Sequence, residues 1–242
     1  RAIKSVSWAD EVIICDMYSK DRTVEIAKKL GAKVFFHKKA GFVEPARNYA
    51  ISKASNQWIL ILDADEEFPE TLTRRLQEIA NKMEQITYVK IPIKNLIFGH
   101  WMQYSGWWPD YKIRFFRKGK IKWTDKIHRP PETLGQGLEL SAEEEFALIH
   151  YNYETVSQFL EKMNRYTNAQ AEELKKEGYE FDWKDIFEKP LGEFLSRFFA
   201  REGYKDGLHG LALAFMQAFS FMVVYLKLWE MEQLKEQNIK LD

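Results

Sequence analysis

Short apolar runs and helical periodicity alternate along the first sixty residues. Val12-Ile13-Ile14-Cys15 reads as a strand and Asp16-Met17-Tyr18-Ser19-Lys20-Asp21 as a turn. Arg22 to Leu30 follows as a helix closed by Gly31, then Lys33-Val34-Phe35-Phe36 as the next strand. Ser19 or Asp21 is placed to cap the helix that begins at Arg22. A second helix pattern runs from about Val43 to Ala54 and leads into the strand Trp58 to Leu62. This alternation predicts an α/β fold with a largely parallel sheet whose strand ends share one edge.

The last of these strands stops on Asp63-Ala64-Asp65-Glu66-Glu67. Side chains alternate along an extended chain, so Asp63 and Asp65 are expected on one face, at the sheet edge where ligands bind. Magnesium and manganese take hard oxygen ligands, usually one or two carboxylates plus substrate phosphates. Asp63 and Asp65 are therefore candidate metal ligands, with a solvated turn as the plain alternative. Pro69 is suited to start a helix from Glu70 to Met83. Asp16 ends its own strand and is expected in the same crevice, where a carboxylate can accept hydrogen bonds from a nucleobase imide or a ribose hydroxyl.

From Tyr88 to Trp123 the pattern is β-rich and dense in aromatics. Trp107 and Trp108 have the flat apolar faces that stack on sugars, although aromatics at this density are more often core. Asp110, in the same aromatic-rich loop, is expected to be partly desolvated, which makes a carboxylate a better base. Beyond Tyr151 the pattern turns helical. Ser157 to Glu177 is amphipathic and ends at Gly178, a linker containing Pro190 follows, and a further helix is expected from Leu191 to Arg201. Leu208 to Leu226 is apolar almost all round but interrupted by His209, Gln217 and Ser220, which leaves a buried partner helix, an oligomer contact or a membrane-interface helix open. The expected organisation is residues 1–150 as one domain and 151–242 as a helical extension.

Composition narrows the partners. A formal net charge of +0 over 242 residues gives no general electrostatic case for nucleic acid. The single cysteine, Cys15, excludes an internal disulfide and suits a reducing compartment. Arg1-Ala2-Ile3-Lys4 leads into charged and aromatic residues, unlike a secretory signal.

Taken in order, these motifs resemble glycosyltransferase family 2, and within it a bacterial branch similar to the lipopolysaccharide inner-core β-1,4-glucosyltransferases. The resemblance is carried by Val12 through Thr23, by Asp63-Ala64-Asp65-Glu66, and by Gly106-Trp107-Trp108-Pro109-Asp110-Tyr111 with Arg114-Phe115-Phe116-Arg117. His150-Tyr151-Asn152-Tyr153, Lys162-Met163-Asn164-Arg165-Tyr166 and Asp206-Gly207-Leu208-His209-Gly210 continue it.

It implies a GT-A-type Rossmann-like mixed sheet flanked by helices, with a helical C-terminal extension. It also implies an inverting transferase that uses a divalent cation, Mg2+ or Mn2+. The implied donor is a nucleotide-diphospho-sugar, UDP-sugar favoured, and the implied acceptor a cell-envelope glycan or lipid-linked molecule. By the same resemblance Asp16 binds the base, Asp63 the ribose and metal region, Asp65 the cation, and Arg47 the donor phosphates. Asp110 is the candidate base, and Trp107 and Trp108, by their apolar faces, are the candidate acceptor contacts. A cytoplasmic enzyme, peripheral on the inner membrane face, is the expected setting. Two departures stand out: the chain starts after the family's usual first strand, and Ile127-His128-Arg129 replaces the usual Val-His-Glu. A nucleotidyltransferase, or a truncated non-catalytic nucleotide-sugar-binding protein, is the competing reading.

Overall fold

The computed structural model describes residues 1–39, 44–123 and 130–239, with side-chain detail excluding 44–45 and 235–239. It divides into two units: Arg1–Lys94 with Asp110–His150, and Asn95–Pro109 with Tyr151–Asp242. Ile127-His128-Arg129 and the expected helix start at Val43 lie outside the described residues.

In the first unit a short helix, α1 (Ala2–Ser5), precedes β1 (Ile13–Asp16), α2 (Thr23–Lys29) and β2 (Lys33–Phe36). β1 and β2 pair in parallel from Ile13↔Lys33 to Asp16↔Phe36. Gly31 follows α2 at φ 81°, a left-handed conformation that glycine adopts without a Cβ clash. The N-cap position of α2 is Arg22, with no side-chain cap, and Asp21 instead accepts the Thr23 amide at 3.0 Å.

Next come α3 (Glu44–Lys53), β3 (Trp58–Leu60), β4 (Glu66–Glu67) and α4 (Glu70–Lys82). Pro69, already extended, precedes α4, whose Leu72, Leu76 and Ile79 are fully buried at helical spacing.

The remaining strands are β5 (Ile86–Ile97), β6 (His100–Trp101), β7 (Tyr111–Arg117), β8 (Ile121–Lys122), β9 (Glu132–Thr133), β10 (Gln136–Glu139) and β11 (Leu148–Tyr153). Five of them and two earlier ones form a seven-stranded sheet along the path β3-β7-β5-β11-β4, with β6 and β10 also on β5. The largely parallel sheet expected from the first sixty residues is corrected here. β3–β7, β5–β7 and β4–β11 are antiparallel, whereas β10–β5 and the separate β1–β2 pair are parallel. A parallel pair needs a crossover such as α2, whereas the aromatic-rich middle of the chain supplies strands that fold back directly beside one another.

Alternation along β7 feeds two cores. Phe115 packs with Leu72, Leu76, Ile79, Val89 and Ile91 on one face, and Phe116 with Ile59, Ile121 and Trp123 on the other. Burying each such aromatic contributes about 1.5–3 kcal/mol, and the sheet is thereby fixed in register.

The second unit contains α5 (Val156–Lys176), α6 (Asp185–Leu195) and α7 (Gly207–Ile239). Thr155 caps α5 by accepting the Gln158 amide at 3.2 Å. Pro190 was expected in a linker but lies buried inside α6, which starts six residues before Leu191 and continues as a π-helical turn, Ser196–Ala200. The apolar demand of the sequence around Pro190 outweighs the loss of one helical hydrogen bond. Ile97, Met102, Phe159 and Leu213 form this unit's core.

The segment 95–109 is fastened within the same unit. Asp206, at the threshold of α7, accepts the amides of Gln103 at 3.2 Å and Tyr104 at 2.9 Å. The Ser105 amide donates to the Arg201 carbonyl at 2.9 Å, and Arg197 Nη1 donates to the Ser105 carbonyl at 3.1 Å.

Candidate active site

β3 ends at Leu60, although Ile61 still donates its amide to the Arg114 carbonyl at 2.7 Å. The chain then turns, with the Glu66 amide donating to the Asp63 carbonyl at 3.0 Å. Asp63 and Asp65 therefore flank a turn and do not share one face of a strand, which corrects the expectation from simple alternation. The apolar run through Leu62 outlasts the ladder because Leu60 and Leu62 both pack on the core.

Asp63 is half-buried between two guanidiniums. Arg47 Nη2 lies 3.1 Å from its Oδ1, and Arg114 Nη2 lies 2.7 Å from its Oδ2. Arg114 also bonds Glu66, and both of those side chains are buried. Glu66 Oε2 accepts the Asp63 amide at 2.9 Å, so one loop of bonds joins the turn to β7.

Burial pulls the two carboxyl groups the same way but does not decide both. For Asp63 burial alone raises the affinity for a proton, and the charges of Arg114 and Arg47 more than offset it, holding the carboxyl below its ordinary value. For Glu66 burial prevails over Arg114, with the Asp63 charge adding to it, and the carboxyl is pushed up. Burial works against the Arg114 charge, but Asp63 and Glu66 overcome it and keep the guanidinium protonated.

Asp65 faces β11. The β4–β11 ladder sets His150 opposite Glu66, and His150 Nε2 comes within 3.6 Å of Asp65 Oδ2. Two neighbouring ligands of one octahedral ion, each at about 2.1 Å, stand about 3 Å apart, so this pair fits a cation after a small inward movement. Among the described residues no group of three or more His, Cys, Asp or Glu side chains is arranged to hold an ion alone. A site of one carboxylate and one imidazole completed by phosphate oxygens is consistent with both observations.

Asp16, buried at the end of β1, uses Oδ1 to accept the Ser19 amide at 3.0 Å and Oδ2 to accept the Ser19 hydroxyl at 2.5 Å. Between them Tyr18 adopts φ 63° and projects a largely exposed ring stacked on Phe36 at 5.4 Å. Arg47 additionally lies over the Trp123 ring at 5.5 Å.

Asp110 immediately precedes β7. Its carboxylate is one-third exposed and lies 3.2 Å from Lys112 Nζ, so it is partly desolvated and ion-paired. Its carbonyl accepts the Ile93 amide at 2.7 Å, which fixes the backbone there. In the second unit, Trp107 packs on the Ile97 and Met102 core, whereas Trp108 meets Trp101 edge-on at 5.2 Å.

Sequence reasoning passed over Arg114, Glu66, His150 and Tyr18 as site residues. Arg114 carried a usable signal: a lone guanidinium between Ile113 and Phe115 on a strand can be buried only beside carboxylates. His150 and Tyr18 lie within motifs that carry the family resemblance, but their placement in the site depends on ladder register and a left-handed backbone, which are properties of the folded chain.

A family model described as Glycosyl transferase family 2 matches residues 1–131. The chain belongs to that family. It is similar to an uncharacterized glycosyltransferase of Rickettsia typhi, 31% identical over 99% of this chain and 84% of the relative. It is also similar to the SPbeta prophage-derived glycosyltransferase SunS of Bacillus subtilis, 27% identical over 75% of this chain and 43% of that protein. Among solved structures, S. aureus TarS aligns with a TM-score of 0.42 and 13% identity, covering 93% of this chain and 86% of that one. The glycosyltransferase carries the GT-A-type mixed sheet expected for family 2, with helices after it. As a member of that family it is an enzyme of glycosyl transfer.

Proposed function

We propose that this glycosyltransferase uses a UDP-sugar and a divalent cation, Mg2+ or Mn2+, to glycosylate a hydroxyl of a cell-envelope glycan or lipid-linked acceptor with inversion at the anomeric carbon. The observation that carries the reading is the turn at Asp63–Glu66. There Asp65 stands beside His150 while Asp63 is held by Arg47 and Arg114. The inner-core lipopolysaccharide acceptor class is supported by the motif resemblance of Gly106–Tyr111 and His150–Tyr153.

In this reading Asp65 and His150 hold the cation, which when bound supplies Lewis-acid stabilisation of the departing diphosphate. Asp63 and Glu66 are occupied by the guanidiniums of Arg47 and Arg114, whereas Asp65 stands beside His150, so added positive charge is accommodated best on the Asp65 side. Among the described residues the hydrogen bonds of Arg47 use Nη2 alone, leaving its other donors to meet a phosphate. Asp16 accepts from the base or ribose, and the exposed Tyr18 ring offers it a stacking face. Asp110 takes the proton of the acceptor hydroxyl as that oxygen bonds to the anomeric carbon. The bond from the anomeric carbon to the diphosphate breaks with its electron pair going to the leaving group, and attack from the opposite side inverts the centre.

Release of nucleoside diphosphate from a panel of nucleotide sugars, with and without Mn2+, tests this. UDP-sugar turnover that needs the ion and is lost in Asp65→Ala is the expected result. Turnover unchanged by chelator, or unaltered in Asp65→Ala, removes the assigned metal role.

A further inference from the structure

We infer that the second unit docks on an anionic lipid bilayer through one apolar helical face that lies in the interface and does not cross it. In a water-facing helix the exposed positions are polar. Here the reverse holds: from Leu208 to Trp229 every exposed residue of α7 is apolar, namely Leu208, Phe215, Phe219, Phe221, Leu226 and Trp229. On and beside α6 a second stripe recurs every fourth residue, as Trp183, Phe187, Leu191, Leu195 and Phe199, all exposed. The two helices pack together, with Phe194 against Phe215 at 4.5 Å, so both stripes belong to one body. An exposed apolar area of this extent marks an interaction surface.

Charge selects the occupant. Between Trp183 and Leu208 the solvent-facing charged side chains are Lys184, Lys189, Arg201 and Lys205 against Glu188 and Glu202, the last paired with Lys205 at 2.8 Å, so the segment remains net basic. Lysine is depleted in interfaces between protein chains, whereas lysine and arginine beside Trp, Phe and Leu are the composition of helices seated among anionic head groups. A second copy of this chain would set these lysines against themselves.

The opposite face decides between lying and crossing. The helix from Gly203 to Leu234 is long and apolar enough to span a bilayer. It is nevertheless bonded to α5 in its C-terminal half, through Lys227 Nζ on the Asn164 carbonyl at 2.8 Å and Lys175 Nζ on the Met231 carbonyl at 3.0 Å. α5 exposes Glu161, Arg165, Glu172, Glu173, Lys175 and Lys176. A spanning α7 would draw those charges into hydrocarbon, where each is costly. α7 thus takes its polar side from α5, and the pair has the two-faced character of an interfacial element.

Flotation of the full chain with vesicles of phosphatidylcholine alone, or with three-tenths phosphatidylglycerol, reads this out independently of sugar transfer. Binding at least tenfold stronger to the anionic vesicles, weakening with salt, is expected. Phe187→Glu with Leu191→Glu, and Phe219→Glu with Leu226→Glu, should each reduce it at least tenfold. All four positions are exposed, so circular dichroism should be unaltered. Lys184→Glu with Lys189→Glu should abolish the preference for the anionic lipid. Alkaline carbonate should release the bound protein. Failure to float with either vesicle, or variants that bind like the parent, overturns the proposal. Self-association dissolved by the same variants would assign the face to a second copy, and carbonate-resistant retention would make α7 a span; either result refutes the inference.

Discussion

Arg114 and Glu66 form an ion pair almost wholly out of water, and the same Arg114 nitrogen, Nη2, also bonds Asp63 at 2.7 Å. Removing the guanidinium would strand a buried carboxylate on the turn that carries both candidate aspartates. Arg114→Met is therefore expected to destabilise the fold by about 3–5 kcal/mol, read from urea unfolding. The double variant Arg114→Met with Glu66→Leu should recover much of that loss, because no uncompensated charge remains. A single variant as stable as the parent would show that the pair is not structural.

The two carboxyl groups make opposite contributions with pH. Asp63 is held below its unfolded value of about 3.9, so its stabilisation is present above that pH and lost as the pH falls through the folded value. Glu66 is pushed above its unfolded value of about 4.3, so its contribution is fully present below that pH and lost as the pH rises through the folded value. Unfolding free energies across this range should show Asp63→Asn flattening the acid limb below about pH 4. Glu66→Gln should gain on the parent as the pH rises above it. Parallel profiles for all three proteins would contradict these shifts.

His150 is the residue that the β4–β11 ladder adds to the candidate ion site. Replacing it with alanine is expected to raise the Mn2+ concentration needed for half-maximal turnover by about 10–100-fold while donor binding survives at saturating ion, because one ligand is lost and Asp65 remains. An unshifted Mn2+ titration would leave Asp65 without this partner in the site.

Asp110 is tested by separating binding from transfer. Asp110→Asn should keep nucleotide-sugar affinity, measured by calorimetry, and lose about 10²–10⁴-fold in transfer to acceptor. Normal turnover in that variant would assign the proton to another group.

Gly210 sits where a Cβ would come 1.8 Å from the Gly203 carbonyl oxygen. Both groups are backbone and neither can swing aside, so Gly210→Ala should cost about 1–3 kcal/mol or more in thermal unfolding. An unchanged melting temperature would mean that the start of α7 yields more easily than its packing implies.

What the sequence made legible was local. The β1–α2–β2 unit, Gly31 after α2, and Pro69 before α4 follow from residues that are neighbours in the chain, where periodicity and backbone preference act directly. The site was legible as far as its carboxylates and Arg47, which the structure sets on Asp63. Arg114 reaches Asp63 across 51 residues, and His150 reaches Asp65 through a ladder whose register nothing near either residue encodes. The strand limit was misplaced because Leu62 is apolar for packing reasons after the ladder has ended. Pro190 was misplaced because its burial within α6 overrides its usual role as a breaker.

The Asp206 carboxylate grips consecutive amides of Gln103 and Tyr104 while itself standing at the threshold of α7. Loops normally adjust on their own, but this one is tethered at its midpoint to the base of the longest helix. Any tilt of α7 must be handed straight to Tyr104 and Ser105, and from there to the neighbouring indoles of Trp107 and Trp108, which travel with the helix as cargo.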